Sequence, residues 1–199
     1  MKLAKLLWIS ASFYLLFVGF VYIFVLKDAP AMGADRLDFI NDNWSWYAYQ
    51  WRAEFLIAIF LSISSFLFSR DSKNVGFPII AAGQLLVALA FPISIGSTPE
   101  ASYELYSAIS EATRSLITFG MVVSLGGYIV LYSGDTFLSK WLRVTAIGLA
   151  SISLLIFGAG FIGRIGQSNA HRAMLIVMLL YLINGYYGIK FSPYPSYNK

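Results

Sequence analysis

Apolar residues in this chain come in runs, not in alternation and not in a narrow stripe. The runs are about 20 residues long, the length of helix that crosses a hydrocarbon core of roughly 30 Å. Six are legible, near 6–26, 50–69, 76–95, 113–133, 138–162 and 171–191. They predict an all-α integral membrane protein, a single six-helix membrane domain over 1–199 with no soluble domain. The two longest connections fall at 27–49 and 96–112, and the rest are tight turns.

The first run holds 21 uncharged residues from Leu6 to Leu26. A secretory h-region is about 7–15 residues, so the run reads as a retained span, although Ala29-Pro30-Ala31 resembles a cleavage site. The third run opens with Pro78 in its first turn, where the missing N–H is no loss. Before the fourth, Ser97 or Thr98 is the expected N-cap, with Pro99 in the first turn and Glu100 as capping-box acid. Unbroken from there to Tyr132, that helix would be about 50 Å long. It must then project, tilt or break near Ser110.

Lysine and arginine set the orientation. With a cytoplasmic N-terminus, Lys2, Lys5, Arg70, Lys73, Lys140, Arg143, Lys190 and Lys199 lie inside, and Lys27, Arg36, Arg52, Arg114, Arg164 and Arg172 outside. Eight against six places both termini in the cytoplasm. Composition agrees with a bilayer as solvent: 58% of residues are hydrophobic and 12% charged, with a mean hydropathy of +0.70, against about 25% charged in soluble domains. The positive charges are scattered, so no nucleic-acid footprint is visible. Without cysteine, thiol catalysis, thiolate metal sites and disulfides are excluded.

Charge is concentrated on the expected outer rim. A second span that begins near Gln50 carries Arg52 and Glu54 in its outermost turns. Arginine snorkels to the headgroups from there, but glutamate reaches less far, so Glu54 is expected to face protein or a water-filled pocket. Glu111 and Arg114 stand three residues apart at the outer end of the fourth span, and Arg164, His171 and Arg172 flank the turn before the last. These seven residues are either ion pairs clamping helix ends, or an anion or lipid-headgroup site that uses the planar fork of arginine. Beside them, "NDNWSWYAYQWRAEF" packs Trp44, Trp46, Tyr47, Tyr49 and Trp51 into residues 41–55. At helical spacing these rings surround the segment, as an interfacial aromatic belt does. A ligand platform would need them on one wall.

"GAGFIGRIG" contains Gly158, Gly160 and Gly163 in a dinucleotide-binding spacing, but it follows a membrane span and no βαβ unit surrounds it. It is expected instead to let helices approach closely, with Gly120, Gly126 and Gly127 of the fourth span as its counterpart. Bis-histidine haem needs two histidines and this chain has one; the ligands of a zinc site are equally missing. No cofactor or metal is expected. Gln84 and Asn184, near mid-membrane, are expected to hydrogen-bond between helices at about 1 kcal/mol or less.

The layout, with an outer loop, a second span entered through an arginine and "LSKWLRVTAIGLA" opening the fifth, resembles uncharacterised six-helix bacterial membrane families of unknown function. That resemblance implies a bacterial inner-membrane location and no activity. The first functional expectation is a non-catalytic accessory or structural subunit of a membrane complex, with lipids and other subunits or a second copy as partners. The second is a binding protein or transporter for a small molecule, anion or lipid, which requires a cavity running inward from Arg52, Glu54 and Arg164. An enzyme acting on lipid headgroups, with Glu54 or Glu111 as base near His171, ranks third.

Overall fold

The first long helix, α1 (Lys2–Phe20), runs on through a π-helical turn at Val21–Val25, and a short α2 (Ala34–Asp42) follows. Then come α3 (Trp44–Ser72), α4 (Gly76–Ser97), α5 (Tyr103–Ser133), α6 (Lys140–Phe161) and α7 (Ser168–Lys190). This computed structural model describes residues 2–26, 29–30, 33–99, 101–162 and 168–191, and the side chains of all of these except 168–174. Among the described residues there is no strand. Lys2–Val25, α3, α4, α5 and α6 are each long and apolar enough to cross a membrane, and Leu175–Lys190 of α7 is a shorter apolar helix. The chain is therefore a helical membrane protein.

Helix α1 packs on α3 and α7, α3 on α4, α4 on α5, α5 on α6, and α6 on α7. Six long helices thus close a ring in chain order, as short connections between antiparallel neighbours favour. The connections are built locally. Lys73, at φ 55°, ends α3 in a left-handed cap with its N–H on Ser69 O. Asn74 then receives the Gly76 N–H at 2.9 Å and donates to Leu131 O at 3.3 Å, which ties the α3–α4 turn to α5.

The tightest seam joins α4 to α5. Gly76 and Gly83 on one helix, and Gly120 and Gly127 on the other, recur every seven residues, a spacing that keeps one face toward the partner. A methyl group on Gly83 would lie 2.5 Å from Gly120 O, and one on Gly127 2.8 Å from Ile80 N, so the backbones touch. Gln84 crosses the same seam to donate to Ser124 Oγ at 3.0 Å.

One end of the ring, where α1 begins and α7 ends, is filled by aromatic side chains. Trp8 is fully buried among Phe68, Phe77, Tyr128 and Tyr187, at centroid distances of 5.5–6.3 Å. Phe191 closes on Phe68 at 4.5 Å. Two polar tips inside this plug are paired through Asn184: Trp8 Nε1 donates to Asn184 O at 2.7 Å, and Tyr132 OH donates to Asn184 Oδ1.

Several expectations need correcting. The 27–49 connection contains α2, and α3 begins at Trp44, six residues before the expected start, because the aromatic segment is itself helical. Ser97 and Thr98 finish α4 instead of capping α5; Thr98 Oγ1 donates back to Ser94 O. The α5 N-cap is Ser102, whose Oγ accepts from Leu105 N, and α5 is unbroken at Ser110 over 31 residues. The glycines of α6 are not the counterparts of those in α5. Added methyl groups on Gly158, Gly160 or Gly126 would meet nothing within 4 Å, because α4 already occupies the small-residue face of α5. Gly163 lies outside the described residues.

Candidate binding cavity

Opposite the aromatic plug, the ring encloses a cavity of about 600 Å³. All six long helices line it, from Leu15 and Val18 on α1 to Val177 and Tyr181 on α7. Its floor lies at Gln84, Met121 and Tyr181, and its mouth is bounded by Arg36 of α2 and by Tyr103, Glu111 and Arg114 of α5. The early turns of α5 reach beyond the close packing of the ring: Glu104, Leu105, Glu111 and Arg114 are exposed. With α2, they raise a wall around the opening.

Helix α3 supplies the deeper of the two carboxyl side chains that line this space among the described residues. Glu54 stands ten residues into α3, about 15 Å along its axis at 1.5 Å per residue. It is buried, and it borders the cavity beside Trp51 and Ala58. Its Oε1 accepts from Gln50 Nε2 at 2.9 Å, one helical turn back, and from Tyr22 OH at 3.1 Å across the α1–α3 contact. Tyr22 is there because α1 winds through its π turn at Val21–Val25, a local irregularity of the kind often found at functional sites.

The seven charged residues expected on the rim do not all converge. Glu54, Glu111 and Arg114 line one cavity. Arg52 does not join them: it is exposed, since two residues of helix turn it away from the Glu54 face. Arg164 and the side chains of His171 and Arg172 lie outside the described residues. Arg36, Tyr22 and Gln84 also line the cavity, with hydroxyl side chains of α4, α5 and α7, and Gln50 supports Glu54. Of these, Gln50 was legible from its spacing of four to Glu54, whereas the approach of Tyr22 and Arg36 depends on the packing of α1 and α2 on α3.

The aromatic segment divides in the same way. Tyr49 and Trp46 point outward, at 74% and 40% exposure. Tyr47, expected at the interface, is instead buried under α2, where Phe39 meets its ring edge-on at 6.3 Å and the Arg36 guanidinium sits 5.4 Å above it. Trp44 packs on Trp51 at 6.0 Å, and only Trp51 of the five reaches the cavity. The segment is exposed on one side and a seat for α2 on the other.

The chain matches no family model, no curated protein sequence and no solved structure.

Proposed function

We propose that this chain is a six-span membrane protein whose central cavity binds a small amphipathic molecule. One observation carries the reading: a ring of helices that leaves about 600 Å³ of its interior unfilled, with a predominantly apolar lining surface into which polar and charged side chains also project. Ligand cavities run to about 300–1,000 Å³ with that kind of lining, whereas a bundle built only as a scaffold gains by packing its interior to crystal-like density. The aromatic plug makes the cavity a blind vestibule. Transport would require the rings around Trp8 to part, so binding is the function favoured. In this reading α7 is the sixth span and both termini are cytoplasmic, following the eight-to-six division of basic residues. The mouth then faces away from the cytoplasm, in the bacterial inner membrane that the layout resemblance implies.

A second reading, an accessory subunit of a larger assembly, is favoured by one face of α6. Trp141, Val144, Ile152 and Leu155 form an exposed apolar stripe, and Gly148 on that stripe meets nothing within 4 Å. A small residue on such a face admits a partner helix. One experiment separates the two: purification from native membranes in mild detergent, with mass spectrometry of everything retained. The cavity reading expects a small molecule that is lost from Ser94→Trp, which fills the half-buried lining of α4. A stoichiometric protein partner with an empty cavity would favour the second reading. Equal small-molecule content in wild type and variant would overturn the first.

A further inference from the structure

Given the binding reading, the geometry points to an organic cation, an ammonium group on an apolar body, as the ligand class, with Glu54 as its counter-charge. A carboxylate within a membrane span is costly unless paired. Yet the two groups that hydrogen-bond to Glu54 among the described residues, Tyr22 and Gln50, are neutral, and both bind Oε1. They fix the carboxylate's position without neutralising it, and neither of them engages Oε2. Arg52, the nearest cation in sequence, is exposed on another face.

The surroundings suit a cation as well. Trp51 and Tyr22 border the cavity next to Glu54, and aromatic faces attract ammonium groups by about 0.5–2 kcal/mol each. Deeper in, Phe157, Val177 and Met121 offer an apolar bed for the rest of the molecule. Among the described residues the lining arginines lie elsewhere: Arg114 is exposed at the mouth and Arg36 is engaged on Tyr47. Among those residues an anion would therefore gain its arginine partners at the rim and would meet Glu54 on moving inward. The sign of the deepest charge decides between the two.

The test uses tetraphenylphosphonium and tetraphenylborate, ions of nearly one shape and opposite charge. Each is titrated by tryptophan fluorescence against the full chain in phosphatidylglycerol nanodiscs, with empty discs subtracted. Wild type should bind the phosphonium at least tenfold more tightly than the borate. Glu54→Gln should lose that preference, and Glu54→Asp should keep most of it. Protection of Glu54 from carbodiimide labelling by the phosphonium and not by the borate, read by mass spectrometry on wild type, gives the same answer without a variant. Repeating the titration with phosphatidylethanolamine in the discs distinguishes sources: competition identifies an ammonium headgroup, and its absence a free amine. Equal binding of both ions, lost together in Ser94→Trp, would overturn the cation assignment and leave the cavity reading standing. Binding of neither would overturn both.

Discussion

Adjacent glycines in α5 make opposite demands on their neighbours, and substituting each by alanine tests the α4–α5 seam directly. A methyl group on Gly127 would lie 2.8 Å from Ile80 N and 3.0 Å from Gly76 O, both backbone atoms that no rotamer change can move. Ordinary contact begins near 3.4 Å, so the helices must part by about 0.6 Å at that point. A gap of 0.5–1 Å forfeits about a quarter to a half of each contact's attraction along the seam. Overpacking of this kind costs about 1–3 kcal/mol. One residue earlier, a methyl group on Gly126 meets nothing within 4 Å, and the helix gains up to about 1 kcal/mol of propensity from alanine. Gly127→Ala gains the same propensity, so the expected difference between the two variants is the overpacking cost alone, about 1–3 kcal/mol, at roughly 2–4 °C of melting temperature per kcal/mol for a chain this long. Thermal unfolding in one detergent, followed by tryptophan fluorescence, measures it. Melting temperatures within a degree of each other would refute the seam as described, and Gly127→Ala above Gly126→Ala would invert it.

Two other substitutions probe polar groups at the plugged end. Asn184→Leu leaves the buried Tyr132 hydroxyl without its acceptor and should cost about 1–3 kcal/mol; adding Tyr132→Phe should restore part of that stability in the same melting assay. A double variant less stable than Asn184→Leu alone would contradict the pairing. Asp135 Oδ2 accepts from the Phe137 and Leu138 N–H groups at 3.1 and 2.9 Å, ahead of α6. Asp135→Ala should cost about 0.5–2 kcal/mol and Asp135→Asn less, because the amide oxygen still accepts. Equal losses would show that the charge, not the cap, is what matters there.

Helix class and five of the apolar runs were legible because hydrocarbon thickness sets a minimum length for a span, and that length shows as an unbroken run of apolar letters. The run boundaries were less legible. An amphipathic aromatic segment such as "NWSWYAYQW" scores as polar or interfacial even when it is the first turns of α3, and Ser97, Pro99 and Glu100 imitate the capping chemistry that Ser102 performs. The glycine seam was half legible. Gly120 and Gly127 were marked as packing residues, but their true counterparts, Gly76 and Gly83, lie in a run with no dense glycine cluster, and only the shared seven-residue spacing points to them. "GAGFIG", which has the density, faces away from the ring.

The same boundary shift changes where Glu54 stands along its helix. With a span starting near Gln50, its carboxylate already lies within the outermost turns and is expected to face protein or a water-filled pocket. With α3 starting at Trp44, it stands ten residues along the helix, and Arg52 is exposed on another face. Its burial, not the helix start, makes it a costly side chain in the cavity. Two neutral donors from α1 and α3 lessen that cost without removing it. A vestibule lined by all six long helices, with a carboxylate held at depth by neutral donors among the described residues, is the arrangement on which the proposed cation site rests.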